Sequence, residues 1–221
     1  MSSLDQQTER RPRGRPRMFD RKAALRRAME VFWTKGFDGC SMSDLVDAMD
    51  INSPSIYAAF GSKENLFREA IDLYAVSEGA ITRQAIKEHG SGREVIAAVL
   101  KRNIDMLTQA AAPRGCMVIL GTVNIGVEHE ELRAFLQSRA QNVANLIKQR
   151  LVQSLADGEL AADAHTDALA TLCVTVLSGL SVQAHNGVPR QTLLDATDAF
   201  ISTLPFTNKT KKKEARRSPS V

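Results

Sequence analysis

Along most of the chain, apolar residues recur at the three- and four-residue spacing of amphipathic α-helices. The first such stretch begins after Asp20, a residue type suited to an N-cap, and ends at Gly36. Its apolar positions are Leu25, Ala28, Met29, Phe32 and Trp33. Alternating patterns bounded by turn residues, which would indicate strands, are not found. The pattern predicts an all-α protein.

Two short helices are predicted next, joined by only three residues. Ser41 is suited to cap the first of them, and Asp44 completes a capping-box-like pair with it. Ser53 as N-cap and Pro54 at the first helical position then start the second. Their shared apolar face consists of Met42, Leu45, Val46, Met49, Ile51, Ile56 and Phe60. Three helices in short succession, the last two separated by three residues, predict a helix-turn-helix.

The remaining apolar pattern predicts six more helices. One runs from Ser62 toward His89, and the others lie near residues 93–111, 114–125, 129–156, 163–186 and 190–204, which gives about nine helices in all. The predicted organisation is a disordered basic arm over residues 1–19, a helix-turn-helix DNA-binding domain over 20–66, a second helical domain over 67–205, whose role the resemblance described below indicates, and a disordered basic tail over 206–221.

The formal net charge of +4 conceals a strong asymmetry along the chain. Residues 1–35 carry ten Lys and Arg against four Asp and Glu, and residues 206–221 carry six against one. The residues between them carry thirteen against twenty. Basic ends on an acidic body indicate that polyanions bind only at particular surfaces. For the C-terminal tail, a solvated disordered segment is the simpler interpretation.

The three cysteines, Cys40, Cys116 and Cys173, are widely spaced and form no CxxC motif, so neither a disulfide framework nor a zinc module is indicated. The N-terminus lacks the apolar segment of a signal peptide. The longest apolar stretch, residues 169–184, is short for a bilayer and contains several Ser and Thr residues. We therefore expect a cytoplasmic protein without a membrane, metal or cofactor partner.

An enzyme is the alternative class of function, and its sequence motifs are incomplete in this chain. Glu128 to Glu131 contain one histidine and lack the second that a zinc protease helix requires. Ser178 precedes Gly179 but has no glycine at the first position of a nucleophile elbow, and no phosphate-binding glycine loop occurs. The sequence predicts no catalytic residue.

The start of the third helix carries the candidate DNA-reading residues. Its exposed positions are predicted to be Ser53, Pro54, Ser55, Tyr57 and Ala58, with Ser41 and Ser43 contributing from the second helix. Pro and Ala side chains can touch a thymine methyl group, and Ser and Tyr hydroxyls can bond a base edge or a phosphate. Because no Arg, Gln or Glu offers a bidentate base contact there, specificity is expected to depend partly on DNA shape.

Two basic features flank this motif. Residues 10–17 read RRPRGRPR, and Arg13, Arg15 and Arg17 suit a narrow minor groove, although a solvated basic tail has the same composition. Lys63 lies in the first turn of the fourth helix, where a cation opposes the helix dipole by a few tenths of a kcal/mol. A bound phosphate would remove that conflict, and an unconstrained surface lysine is the alternative.

From about Arg13 to Tyr74 the sequence resembles the N-terminal domain of the TetR family of transcription regulators. The resemblance rests on GRPR at residues 14–17, KGF at 35–37, the 41–48 helix and SPSIYAAFGSKE at 53–64. It implies that Ser53, Ser55 and Tyr57 lie on a recognition helix and that Lys63 contacts phosphate. One departure is Asp50, since the family usually has glycine in the turn, where a left-handed backbone is needed.

The resemblance further implies that the residues after about 75 form a helical dimerisation and effector domain. The candidate dimer residues, at apolar positions of the last two helices, are Leu172, Val176, Leu180, Leu193, Phe200 and Ile201. A plain core helix would show the same pattern. The candidate effector-pocket residues are Asn103, Met106, Cys116, Met117, Leu120, Asn124, Thr171 and Gln183. Cys116 and Cys173 are either sensors of oxidants or soft metals, or buried structural thiols.

Together these features predict a dimeric, ligand-responsive transcription regulator. Its expected partners are double-stranded operator DNA, a second copy of itself and a small, largely apolar effector that releases a repressor from DNA. The alternative is an architectural or redox-sensing DNA-binding protein without a small-molecule effector. The 130 or so residues beyond the motif argue for dimerisation or sensing, since a DNA module alone does not need them.

Overall fold

The computed structural model describes residues 19–110 and 113–207. In these residues the prediction of an all-α protein is confirmed, with ten helices instead of about nine. The helices are α1 (Arg21–Lys35), α2 (Met42–Met49), α3 (Ser53–Phe60), α4 (Lys63–Val76), α5 (Ala80–Ile86), α6 (Gly92–Leu107), α7 (Met117–Asn124), α8 (Glu130–Ala156), α9 (Thr166–His185) and α10 (Arg190–Thr203).

Side-chain caps fix the starts of the first three helices. The Asp20 carboxylate accepts hydrogen bonds from the first-turn N–H groups of α1, and Ser41 and Asp44 form the predicted capping box of α2. The predicted cap of α3 was wrong by one residue. Asn52 has extended backbone angles, and its Oδ1 accepts from the Ser55 N–H at 2.9 Å, so that Ser53 is already the first helical residue.

The predicted fourth helix toward His89 was also wrong, because it is two helices, α4 and α5. The chain leaves α4 at Ser77, whose hydroxyl donates to the Leu73 carbonyl at 2.7 Å. Gly79 then passes close to α4, and a Cβ there would lie 3.1 Å from the Tyr74 carbonyl oxygen. Apolar spacing continues across this break, so periodicity alone could not reveal it.

An aromatic cluster joins α1 to α4. Phe67 packs edge-on against Phe32 and Phe37, with ring centroids 5.1 and 5.2 Å apart. Trp33 packs edge-on against Tyr74 at 4.9 Å. All five side chains are at most 5% exposed. This cluster holds α1 and α4 together, and these two helices support α2 and α3.

The other helices surround α6, which is buried on several sides and packs against α5, α8, α9 and α10. The first residue of α6 is Gly92, where a Cβ would lie 2.0 Å from the Ser154 Oγ of α8. Only glycine allows this close approach of the two helices. The long α8 and α9 lie side by side and form the largest helix pair of this region.

The C-terminal packing extends past the boundary predicted at residue 205. Phe206 is buried and forms an antiparallel bridge with Leu160, and the Thr207 N–H donates to the Glu159 carbonyl at 2.7 Å. These two residues, assigned from the sequence to the tail, thus belong to the packed structure. A single aromatic residue after a helix end carries no periodic signal that would have shown this.

Candidate nucleic-acid interface and internal cavity

The start of α3 presents an exposed face. Ile56 and Phe60 are buried and anchor the helix, whereas Pro54, Tyr57 and Ala58 are exposed. The Tyr57 side chain is 47% exposed, which is unusual for a large residue on a short helix packed on its other side. Among the other predicted readers, Ser53 and Ser55 are half-buried. The face has the residue types of a groove-reading surface, with the phenol as its largest group.

Ser41 and Ser43, the candidates on α2, differ in their surroundings. The Ser41 hydroxyl is engaged within the cap, because it donates to the Asp44 carboxylate at 2.8 Å and accepts from the Asp44 N–H. The Asp44 carboxylate also binds the Lys35 ammonium at 2.6 Å, and that hydrogen bond is the main reason why its pKa falls to about 2. Ser43 is exposed. Ser41 therefore stabilises the start of α2 within the motif.

The turn of the motif has the left-handed backbone that the resemblance implied. Asp50 has φ 56° and ψ 41°, and it is the one non-glycine residue with positive φ among those the structure describes. The neighbouring Met49 carbonyl accepts from the Arg27 guanidinium at 3.3 Å. A left-handed conformation costs an L-residue up to about 1–2 kcal/mol, and less for Asp. The turn is correctly formed at some cost in stability.

At the start of α4 the Ser62 hydroxyl caps the helix by accepting from the Asn65 N–H at 3.1 Å. The Lys63 ammonium lies 4.4 Å from the centroid of the Phe37 ring, so a cation–π contact holds it beside the helix N-terminus. Hydrogen bonds from its own N–H and from Ser62 lower the pKa of Glu64. Phosphate binding by Lys63 stays a prediction. Arg13, Arg15 and Arg17 lie outside the described residues, and their role stays a prediction as well.

A second candidate site is a cavity of about 150 Å³ between α4, α5, α6, α7, α8 and α9. Its apolar wall includes Leu107, Val118, Ile119, Ala140, Val143, Leu146, Val174 and Leu177. Of the eight predicted pocket residues, Asn103 and Cys116 line it. Met106 and Met117 are buried elsewhere in the core, Leu120 is half-buried, and Asn124, Thr171 and Gln183 are exposed.

The rotation of α9 explains the misplaced α9 candidates. Ser178 and Ser181 face the cavity together with Leu177, whereas Thr171 and Gln183 lie on the solvent side of the same helix. Because α9 is apolar nearly all round, its sequence does not reveal which side faces inward. The cavity also includes two arginines, Arg83 and Arg139, which the sequence analysis missed. Charged residues on an amphipathic helix are normally solvent-facing, so no sequence signal marked them.

The three free cysteines have different environments. Cys40 and Cys173 are buried, and burial raises the pKa of each thiol to about 11. Cys116 is half-buried and lines the cavity, where its N–H donates to the Ser181 hydroxyl at 2.8 Å. Thiolate chemistry at neutral pH is therefore disfavoured at Cys40 and Cys173.

Two sets of polar contacts connect the cavity region to the DNA-binding region. The indole N–H of Trp33 on α1 donates to the Gly115 carbonyl at 2.8 Å, one residue before Cys116. The Asp38 carboxylate accepts from the Gly126 N–H at 2.7 Å and lies 3.1 Å from His129 Nε2. With Glu128 these last side chains form a group whose donor atoms lie within 4.8 Å, a spacing that a metal ion could use and that no sequence motif marked.

The six predicted dimer residues differ in how deeply they are buried. Leu180, Leu193 and Ile201 are 5%, 3% and 7% exposed and belong to the core of the protomer, so they cannot form the main contact with a second copy. Val176 and Phe200 are half-buried, and Leu172 is 43% exposed. Val182 is also exposed, and a Cβ at Gly179 would meet no atom within 4 Å. The free apolar side of α9 is therefore the one with Leu172, Gly179 and Val182.

By length and composition alone, α9 is long and apolar enough to cross a membrane, and 33% of its most apolar 18-residue stretch is buried inside the protein. In this fold one side of α9 packs on α6 and α8, and the other is open. An apolar helix with one covered and one open side is also what packing against another protein chain requires.

Known proteins with this arrangement are transcription regulators. Residues 24–70 match the family described as bacterial regulatory proteins, tetR family, and residues 92–197 match the tetracyclin repressor-like C-terminal domain. The HTH-type transcriptional repressor ComR of Escherichia coli is 29% identical over 207 residues, which are 93% of this chain and 98% of ComR. The repressor BdcR of the same organism is 30% identical over 175 residues, 79% of this chain and 83% of BdcR.

Among solved structures, a cysteine mutant of the TetR family transcriptional regulator CifR in complex with 26 bp double-strand operator DNA is 43% identical. Its TM-score is 0.82, and the match covers 86% of this chain and all of that one. A regulator from Rhodococcus sp. RHA1 is 32% identical with a TM-score of 0.58, over 85% of this chain and all of that one. The chain belongs to the TetR family and is a DNA-binding transcription regulator, not an enzyme.

Proposed function

We propose that the protein is a cytoplasmic, homodimeric repressor that binds operator DNA through α3 and releases it when a small molecule occupies the cavity. The observation that carries the proposal is the connection between the two candidate sites through Trp33, which contacts both Tyr74 and Gly115. ComR and BdcR, which are named as repressors, and the operator complex of CifR support the repressor role.

The proposed dimer brings two recognition helices to one face of the DNA. A single α3 offers few strong base contacts, so a second copy of the motif is needed for a specific site. The two helices would enter successive major grooves, about 34–36 Å apart. The open side of α9 supplies the apolar contact, with Leu172 and Val182 as anchors and Gly179 allowing close approach of the partner helix.

The proposed release follows from the position of Tyr74. This residue lies on α4, lines the cavity and packs against Trp33 of α1, which carries the DNA-binding motif. A ligand that binds better when α4 is displaced shifts the population toward a form with wrongly spaced recognition helices. Because the aromatic cluster makes α1 and α4 one packed unit, a shift of α4 also moves α2 and α3.

The first test measures binding of the purified protein to the upstream region of its own gene, by gel shift across a range of salt concentrations. The expected result is a specific complex that weakens as salt rises. Tyr57→Ala should weaken it about tenfold without changing the melting temperature, because Tyr57 is exposed and contributes little to the core. Lys63→Ala should reduce the salt slope by about one unit, whereas the exposed control Lys87→Ala should not. Absence of any complex at low salt contradicts the proposal.

A second test addresses the dimer. Leu172→Lys places a charge on the open side of α9 and should convert the protein to monomers in analytical ultracentrifugation, with loss of operator binding. Val152→Lys is the matched control, since Val152 is 47% exposed on α8. If Leu172→Lys sediments as the wild type does, the dimer surface lies elsewhere.

One observation favours a second candidate, a cysteine-based sensor. Cys116 is the one half-buried cysteine of the three, and it lines the cavity. The CifR structures that resemble this chain are described as cysteine mutants. Iodoacetamide should label the native protein at Cys116 and not at Cys40 or Cys173, and the labelled protein should lose operator binding. If Cys116 does not react in the native protein, this candidate is excluded.

A further inference from the structure

The charge of the cavity wall differs from that of the whole central region. The residues between the basic ends carry an excess of acidic groups, yet no Asp or Glu is among the described residues that line the cavity. Its two charged wall residues are both arginines, Arg83 on α5 and Arg139 on α8. The rest of the wall is mostly apolar.

Arg139 has an unused hydrogen-bond donor. Its Nε is shielded from solvent and has no acceptor among the described atoms. The same guanidinium contacts Asp72 through Nη2 at 2.5 Å and lies 4.8 Å from the Phe135 ring centroid, so it is held in place. A buried N–H of a charged group without an acceptor is destabilising.

The other polar groups of the wall are largely engaged. The Asn103 amide donates to Thr82 at 2.9 Å and to the Val99 carbonyl at 2.7 Å. The Ser181 hydroxyl accepts from the Cys116 N–H, and Arg83 donates to the Ala75 carbonyl. The Asn142 amide and the Ser178 hydroxyl also line the cavity. For the Arg139 guanidinium, the strongest acceptor is an anionic oxygen.

The size and wall of the cavity limit the rest of the ligand. A space of about 150 Å³ resembles a cavity that accommodates benzene, so it fits about six to ten non-hydrogen atoms. Leu107, Val143, Leu146 and Val174 line the cavity with apolar side chains. Inorganic anions would leave this apolar wall without a partner.

We infer that the effector is a small organic carboxylate, aromatic or short-chain aliphatic, whose carboxylate pairs with the Arg139 guanidinium in the cavity wall. This inference rests on the proposed function, because it names the chemical class of the ligand for the same cavity. Arg83 adds a second positive charge. The apolar portion of the ligand packs against α8 and α9.

The test compares matched ligands that differ only in charge. Full-length protein is incubated with benzoate or benzamide, and with hexanoate or hexanamide, and the melting temperature and operator binding are both measured. Carboxylates should raise the melting temperature and release the operator, while the neutral amides at the same concentration should do neither. Arg139→Gln should weaken carboxylate binding at least tenfold, and Arg83→Gln should weaken it less.

The control is Arg102→Gln on α6. Like Arg139, Arg102 is paired with a carboxylate, here that of Glu88, but Arg102 does not line the cavity. It should bind carboxylates as the wild type does. The inference is overturned if the acids and the amides change the melting temperature and operator binding equally. It is also overturned if folded Arg139→Gln binds the carboxylates as the wild type does, or if the carboxylates do not shift the melting temperature. If neutral ligands alone release the operator, the inference fails and the proposed function stands. If no operator complex forms, the proposed function fails, and the melting shifts still test the inference.

Discussion

The DNA-binding region, from Phe19 to Val76, and the cavity region that follows are packed in different ways. Eight of the eleven aromatic residues of the chain lie between Phe19 and Tyr74, and five of them form the cluster between α1 and α4. The cavity region has three aromatic residues and contains an internal space lined by aliphatic side chains. The region proposed to bind a ligand is therefore the more loosely packed of the two, as a region that changes conformation requires.

The largest expected effect comes from equal leucine truncations in the two regions. Leu66 on α4 is fully buried in the first region, and Leu177 on α9 is buried but borders the cavity. Leu66→Ala should lower the free energy of unfolding by about 3–5 kcal/mol, and Leu177→Ala by about 1–3 kcal/mol, because Leu177 has fewer contacts to lose. Urea denaturation measures both. Equal losses would contradict the difference in packing.

The next effect concerns Trp33, which makes one of the polar contacts between the two regions. Trp33→Phe keeps the aromatic packing but removes the hydrogen bond to the Gly115 carbonyl, which should cost about 1–3 kcal/mol because that carbonyl loses its partner. More informative is the response to ligand. The variant should still bind operator DNA, and the ligand concentration needed for release should change. A wild-type release curve would show that the Trp33 contact does not couple the regions.

A smaller gain is expected within the motif itself. Asp50→Gly removes the strain of the left-handed backbone and should raise the free energy of unfolding by about 0.5–1 kcal/mol. It also removes a negative charge from the turn, so operator affinity should rise at low salt. Asp47→Gly is a useful contrast, because Asp47 lies within α2, and glycine there should instead destabilise the protein by about 0.3 kcal/mol. Calorimetry and gel shifts measure both variants.

The smallest effect is the acid dependence of the α2 cap. The pKa of Asp44 is lowered from 3.8 to about 2, chiefly by its hydrogen bond with Lys35. A carboxylate with a depressed pKa stabilises the fold above its unfolded pKa and loses that contribution as the pH falls toward the folded pKa. Unfolding of the wild type between pH 4 and pH 2 should therefore show an acid-dependent loss that Asp44→Asn lacks. Parallel curves for the two proteins would contradict this.

The motif was predictable from sequence because its determinants are local. The Ser41 and Asp44 cap, the spacing of Leu45 and Met49, and the turn at Asp50 involve residues a few positions apart, and the structure has them as expected. Where two local signals competed, the sequence misled, since both Asn52 and Ser53 are good capping residues and only the backbone angles choose between them. The break between α4 and α5 was missed for the related reason that apolar spacing continues through it.

The cavity was not predictable in the same way. Asn103 and Cys116 were anticipated, but Arg83, Arg139 and the serines of α9 came to the wall through the rotation and packing of six helices. Three of the six dimer candidates were misplaced for a similar reason, because Leu180, Leu193 and Ile201 fill the protomer core. The other three, Leu172 among them, stay predictions. Apolar character on nearly all sides of a helix does not say which side meets which neighbour.

By itself the sequence determined the all-α class, the helix-turn-helix, the capping box of α2, the turn at Asp50 and the basic character of the chain ends. These depend on residue type and on spacing within one or two helical turns, where a few backbone hydrogen bonds and side-chain caps decide the outcome. Only the tertiary structure decided which side of α9 is open, which groups line the cavity and that Trp33 joins the two regions. Those contacts join residues far apart in sequence, and they form only when whole helices pack.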